Sequence, residues 1–127
     1  MTATVYLENT EFPFVVRMVW EQQVNEADVL PMFTMLTRQL NASPRPLTII
    51  MDLSNKPQMP LAETLTGAMS GPFGHPNLGY WVMIGTTRVA RIVENVLTKV
   101  LRQQNMVWFN THEEAYAFVR QNGHEVA

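Results

Sequence analysis

The chain of 127 residues contains no cysteine. This absence excludes disulfides, thiolate metal sites, iron–sulfur clusters and cysteine nucleophiles, and it favours the cytoplasm as the place where the protein works. Charged residues are also scarce, at 16% of the chain against about a quarter in an average domain. Because the formal net charge is −2, the cationic excess on which nucleic-acid binding depends is missing, and we expect no nucleic-acid partner.

Long apolar runs are missing as well. No run approaches the roughly 20 residues that a membrane-spanning helix needs, and residues 1–4 lack the charged-then-apolar pattern of a signal peptide. Apolar residues still make up 46% of the chain, which is enough material for one core. We therefore expect a single soluble domain over residues 1–127.

Strand patterns alternate with helix patterns along the chain. Uninterrupted apolar runs are typical of strands buried on both faces, and apolar residues at helical spacing lie between these runs. Strands are expected at residues 5–7, 14–20, 47–51, 79–85 and 106–109, and helices at residues 25–40, 61–69, 88–103 and 111–122. Pro31 leaves two alternatives for the first helix, a kink at the proline or a start near Leu30.

The order of these elements, β-β-α-β-α-β-α-β-α, indicates an α/β fold. Buried strands that alternate with helices pair in parallel through right-handed crossovers. The first short strand lies close enough to the second to form a hairpin, so it is expected as an antiparallel edge. The sequence predicts one layered domain with a mixed, mostly parallel sheet and about four helices.

This order, and three segments within it, resemble the STAS fold and more narrowly the SpoIIAA-like family. The segments are residues 47–54, a strand that ends in Asp-Leu-Ser, residues 75–78 before the next strand, and residues 107–115, a short strand before a capped helix. The resemblance covers about residues 13–121. It implies the fold and a regulatory role through binding to another protein.

Many STAS proteins are switches in which a partner kinase phosphorylates a serine of an Asp-Ser motif after the central strand. In this chain the acceptor position would fall near Leu61, which has no hydroxyl, and residues 56–62 contain no Asp-Ser pair. The resemblance therefore implies the fold without a phospho-acceptor. Comparisons that link this fold to CRAL-TRIO lipid carriers imply an apolar ligand as the alternative.

Asp52 is the first candidate site residue, because it ends the central strand. Open α/β sheets place their ligand sites at this end of the strands, and Ser54 and Lys56 can join Asp52 in a small polar cluster. The alternative is that Asp52 only accepts backbone hydrogen bonds within its loop. His75 follows a glycine in another loop and can reach the same end of the sheet, or it can bond only to its neighbours and solvent.

No catalytic motif accompanies these residues. The chain has neither a Gly-x-Ser-x-Gly elbow nor a phosphate-binding loop with Gly-Lys-Ser/Thr. Its histidines are too widely spaced in sequence to indicate a zinc site. We therefore expect a non-catalytic protein without metal or cofactor, and an enzyme that uses Asp52 and His75 is the least favoured hypothesis.

Two surfaces are candidates for partner binding. The leading one is the loop and helix at residues 54–73, where the apolar residues Met59, Leu61 and Phe73 lie; its expected occupant is another protein, including a second copy of this chain. The other is the polar side of the helix at residues 88–103, where an anionic partner can bind unless this side is merely solvated. Its basic residues are Arg88, Arg91, Lys99 and Arg102.

The second functional hypothesis is a carrier or sensor of an apolar, lipid-like ligand. The chain has nine methionines, and methionine side chains adapt their shape to apolar pockets. The expected pocket lies between the sheet and the helix at residues 61–69. In that helix, Leu61, Leu65, Ala68 and Met69 form one apolar stripe. The alternative is that the methionines fill the core.

Overall fold

The structure, a computed structural model, describes residues 3–100 and 105–122. They form one sheet of five strands in the order β1-β2-β3-β4-β5. The strands are β1 Val5–Asn9, β2 Val15–Trp20, β3 Leu47–Asp52, β4 Leu78–Ile84 and β5 Met106–Phe109. β1 and β2 pair antiparallel, and every other neighbouring pair is parallel. The predicted mixed α/β sheet with its antiparallel edge strand is confirmed.

Four helices connect or follow these strands. They are α1 Val29–Ala42, α2 Leu61–Met69, α3 Arg88–Val100 and α4 His112–Gln121, and a short 3-10 turn at Glu26–Asp28 precedes α1. Within the described residues, no helix is both long enough and apolar enough to cross a membrane.

The two faces of the sheet are covered unequally. The helices α1, α2 and α3 each connect neighbouring parallel strands in the same direction, so right-handed crossovers place all three on one face. α4 lies on the other face, where Ala115 and Val119 pack against residues such as Ile50 and Val82. Both faces of the central strand β3 are therefore buried, which explains its uninterrupted apolar sequence.

The start of α1 settles the two alternatives for Pro31. α1 begins at Val29, so the proline lies in the first turn, where a backbone N–H has no partner within the helix. The start near Leu30 is confirmed, and it needs no kink. The carboxylate of Asp28 just before α1 accepts hydrogen bonds from the backbone N–H and the hydroxyl of Thr4, at 2.8 and 2.7 Å, which fastens the chain before β1 to this helix.

α2 turns its small residues toward the core. It buries Thr64, Gly67 and Ala68, whereas Leu61 and Met69 at its two ends remain 42% and 39% exposed. The apolar stripe of the sequence is therefore divided between the core and the surface. The cause is close packing between α1 and α2, because a Cβ atom at Gly67 would collide with the ring of Phe33 in α1.

Replacement of Gly67 by alanine tests this close approach. Alanine favours a helix over glycine by about 1 kcal/mol, but Phe33 is fully buried and its ring contacts Trp20 edge-on, so it has little room to move. We expect Gly67→Ala to lower the free energy of unfolding by about 1–3 kcal/mol through overpacking. Urea denaturation measures this loss.

The matched control is Thr66→Ala on the exposed side of the same helix. This change also introduces an alanine into α2, but at a position that faces solvent and not α1. It should leave the free energy of unfolding unchanged or raise it slightly. A Gly67→Ala protein as stable as the wild type would contradict the close approach of α2 to α1.

Candidate functional site

The carboxylate of Asp52 is the centre of a polar cluster at the carboxyl end of β3. Asp52 is 1% exposed. Its Oδ2 accepts hydrogen bonds from Nε and Nη2 of Arg17, at 3.0 and 2.6 Å, and lies 2.7 Å from Nε2 of His112. Its Oδ1 accepts from the backbone N–H of Ser54 at 3.0 Å and from the Ser54 hydroxyl at 2.6 Å. Both carboxylate oxygens are therefore occupied by donors of the chain itself.

These donors decide the charge state of Asp52. Burial alone would raise the pKa of the carboxyl, but the hydrogen bonds from Ser54, His112 and Arg17 outweigh burial and lower the pKa to about 2. Burial would likewise lower the pKa of Arg17, and the interaction with Asp52 raises it instead. The buried carboxylate is thus a charged hydrogen-bond acceptor near neutral pH, and it is a very weak base.

Three parts of the fold bring the cluster together. In the register of β2 and β3, Val19 lies opposite Asp52, so Arg17 lies two residues back on the same face of the sheet. Ser54 follows in the loop directly after β3. His112 is the first residue of α4, and Thr111 just before it caps the helix by accepting the backbone N–H of Glu114 at 3.2 Å, as the capping-box pattern predicts.

The cluster opens to solvent on its outer side. The side chains of Arg17 and His112 are 28% and 45% exposed, and Nη1 of Arg17 forms a further ion pair with Glu8 of β1 at 3.1 Å. Tyr116 lies one helical turn after His112, and burial raises the pKa of its phenol. A neutral tyrosine therefore borders the cluster at ordinary pH.

The geometry does not correspond to a nucleophilic triad. The hydroxyl of Ser54 donates to Asp52 and not to His112, so no imidazole is placed to take its proton. Its acceptor is a carboxylate with a pKa of about 2, which is too weak a base to activate a hydroxyl. The arrangement is suited to holding β2, β3 and α4 together.

Of the residues predicted to surround Asp52, Ser54 belongs to the cluster. The backbone N–H of Ser54 also donates to the Asp52 carboxylate, as expected for an aspartate that accepts hydrogen bonds within its loop. Lys56 is exposed and has a positive φ of 53°. It contributes no bond to the cluster in the described part of the chain.

The expectation that His75 can reach Asp52 is wrong. His75 precedes β4, and Leu47 at the start of β3 donates its N–H to Asn77. Because β3 and β4 run parallel, this loop lies at the amino end of β3, about 16 Å of strand away from Asp52. His75 instead lies 2.7 Å from the side chain of Asn41 and accepts the N–H of Asn77. The alternative of a loop histidine bonded to its neighbours is confirmed.

Two of the three apolar residues expected on the contact surface are core residues. Met59 and Phe73 are 7% and 5% exposed, and the Phe73 ring packs on Trp81 with 4.1 Å between ring centroids. Their place in the core follows from the loops that fold them back under α2 and α3. Leu61 is exposed as expected.

The region expected to hold an apolar ligand contains a cavity of only about 20 Å³. This volume has room for about one water molecule, whereas ligand pockets measure about 300–1,000 Å³. Methionines and aromatic residues form much of its wall, among them Phe33, Met51, Met59, Phe73, Trp81 and Met83. These side chains fill the space between the sheet and α2.

The basic side of α3 is exposed in the described residues. Arg88, Arg91 and Lys99 are all exposed, and Arg102 lies outside the described residues. Arg91 is held in place, because its guanidinium lies 3.9 Å from the centroid of the Trp108 ring and pairs with Glu94. Trp108 donates its indole N–H to the same glutamate.

Sequence reasoning missed Arg17 and His112 as members of the site. Arg17 is the only charged residue within the apolar run at residues 14–20, and a buried carboxylate on the next strand requires a positive partner. A lone arginine in one apolar strand and an aspartate at the end of the next apolar strand were sufficient to predict the pair of Arg17 and Asp52. No comparable signal marks His112, because its position depends on how α4 packs across the sheet.

The low pKa of Asp52 makes the free energy of unfolding depend on pH in the acidic range. A carboxyl whose pKa is lowered from 3.8 to about 2 stabilises the fold fully above pH 4, and this contribution is lost as the pH falls through 2. Between about pH 5 and about pH 2, the free energy of unfolding of the wild type should therefore fall by about 2 kcal/mol more than that of Asp52→Asn. Urea denaturation at each pH measures both.

Ser54→Ala provides the matched variant for this experiment. It keeps the carboxylate but removes the hydroxyl donor, so the pKa of Asp52 should be lowered less than in the wild type. The acid-induced loss of stability should therefore be smaller and should level off at a higher pH than in the wild type. The same pH dependence in wild type and Asp52→Asn would contradict the assignment.

The described residues contain no group of three or more His, Asp or Glu side chains that could hold a metal ion. Comparisons of the chain with protein-family models, with curated proteins and with solved structures gave no match.

Proposed function

We propose that this chain is a non-catalytic, STAS-like interaction module of the cytoplasm that binds a second copy of itself through the outer face of α2. This proposal keeps the protein partner expected from the sequence and moves the contact surface away from the buried residues Met59 and Phe73. It commits to a homodimer as the functional form.

The proposal is carried by the distribution of the exposed apolar side chains. In the described part of the chain, every large apolar residue that is strongly exposed belongs to α1, α2 or α3. These residues are Leu30, Met35, Leu61, Met69, Ile92 and Val100. They all belong to one helical layer, and apolar side chains exposed together on one side of a protein are typical of protein-binding sites.

α2 is the centre of this layer, because it contacts α1 on one side and α3 on the other. Two of its three large apolar residues, Leu61 and Met69, are exposed, whereas Leu65 packs against the core. A helix that only covered a core would place its large apolar residues inward. The two exposed residues favour a second protein surface on the outer side.

A second copy of the chain suits this surface because α2 carries almost no charge. Glu63 is its only ionisable residue, so two copies can approach without strong repulsion between like charges. An antiparallel contact of α2 with its counterpart would bring Leu61 of each copy near Met69 of the other, as twofold symmetry requires.

The Asp52 cluster supports binding over catalysis. Its carboxylate is saturated by Arg17, Ser54 and His112, and a carboxyl with a pKa of about 2 supplies no general base near neutral pH. The cavity of about 20 Å³ does not favour the alternative of an apolar-ligand carrier, since a lipid-like molecule would have to displace the core side chains.

Charges placed on the α2 surface test the dimer. The double variant Leu61→Lys, Met69→Lys places like charges opposite each other across the twofold contact, because position 61 of one copy lies near position 69 of the other. We expect the wild type to sediment as a dimer and this variant as a folded monomer with an unchanged circular dichroism spectrum. The thermal midpoint of the wild type should rise with protein concentration, and that of the variant should not. Sedimentation equilibrium at increasing protein concentration measures the association.

Gln121→Lys is the matched control, because Gln121 is exposed at the end of α4, on the opposite face of the sheet from α2. It should dimerise like the wild type. A wild type that stays monomeric at every concentration, or a double variant that dimerises normally, would contradict the proposal.

A further inference from the structure

An open groove lies at the carboxyl edge of the parallel strands, on the same side of the sheet as α1–α3. Its volume is about 340 Å³, within the range of about 300–1,000 Å³ that is usual for small-molecule sites. The loops after β2, β3 and β4 form its walls. They contribute Val24 and Glu26, residues 57–60, and residues 87–89. Ligands of open α/β sheets bind outside this end of the strands.

The groove is built from loops that are tied to one another. The backbone N–H of Gln58 donates to the carbonyl of Gln22 at 3.0 Å, which joins the loops after β3 and β2. The hydroxyl of Thr87 lies 3.0 Å from the sulfur of Met59, which joins the loops after β4 and β3. Prolines at 57 and 60 further restrict the middle loop. A concave surface fixed in this way needs little ordering when a ligand binds.

Two opposite charges face this groove without internal partners. Glu26 belongs to the loop after β2 and Arg88 begins α3. Among the described residues, neither side chain forms a hydrogen bond or an ion pair, in contrast to Arg17 and Asp52. The other lining residues are mainly apolar, with Val24, Pro57, Met59, Pro60 and Val89.

We infer that this groove binds a small zwitterion with an apolar side chain, of the α-amino-acid class. The guanidinium of Arg88 suits a carboxylate, which it can bind through two parallel hydrogen bonds. The carboxylate of Glu26 suits an ammonium group, and the apolar walls suit an aliphatic side chain. A simple anion would be repelled by Glu26, and a simple cation by Arg88.

Titration with L-leucine, followed in ¹H–¹⁵N NMR spectra of the full chain, tests this inference. Leucine should shift the signals of Val24, Gln58 and residues 87–89 in a saturable manner. Two molecules with the same branched chain serve as probes of its charges, 4-methylpentanoate without the amine and 3-methylbutylamine without the carboxylate. Each should bind at least about tenfold more weakly than leucine, because each leaves one charge of the groove unpaired.

Arg88→Gln and Glu26→Gln test which side chain binds the carboxylate of the ligand and which binds its ammonium group. Each variant should weaken leucine binding about tenfold or more. Arg88→Gln should leave 3-methylbutylamine binding unchanged or stronger, and Glu26→Gln should do the same for 4-methylpentanoate. Arg38→Gln, which removes an exposed arginine of α1, is the control and should bind leucine like the wild type.

Three results would overturn the inference. They are the absence of saturable leucine shifts in the groove, a half-molecule that binds as tightly as leucine, and equal leucine affinity in wild type and both variants. The outcome is separate from that of the dimer experiment, because Met69→Lys changes the far end of α2 and should bind leucine normally.

Discussion

The pairing of the buried Asp52 carboxylate with donors from other elements is the interaction on which the rest of the arrangement depends. A charge with 1% exposure is costly unless donors surround it, so the fold must deliver Arg17 from β2 and His112 from α4 to the same point. This requirement joins the antiparallel edge, the central strand and the final helix. Donors of the chain itself engage both oxygens of this carboxylate.

The helical layer on the other face of the sheet follows a different constraint, which is the distance between α1 and α2. Phe33 fills the contact, and only a residue without a side chain fits opposite it, so Gly67 faces inward. Because the face of α2 that carries its small residues packs against the core, Leu61 and Met69 remain exposed to solvent. The apolar character of the surface is therefore a consequence of how tightly the core is assembled.

Much of the fold can be predicted from the sequence, and the site only in part. The strands and α3 are readable because burial on both faces or on one stripe leaves a pattern in consecutive residues. The orientation of α2 is not readable, because one glycine and one phenylalanine in another helix decide it. His75 was expected at the wrong edge of the sheet, although the predicted parallel order already implies the right one, because a loop that precedes a parallel strand lies at the amino ends of the strands. His112 was overlooked because packing of α4 across the sheet leaves no periodic pattern in the sequence.

The cluster of Arg17, Asp52 and His112 has a consequence for how the chain can change over evolutionary time. Loss of the arginine alone would leave a buried charge without the guanidinium that donates two hydrogen bonds to it. Loss of the aspartate alone would leave a half-buried arginine without this acceptor. Substitutions at positions 17 and 52 are therefore tolerated most easily as a pair, for example when two apolar residues replace both charges. Position 112 is freer, because its side chain is 45% exposed and water can take the place of the imidazole. Among diverged sequences of this fold, 17 and 52 should vary together while 112 drifts.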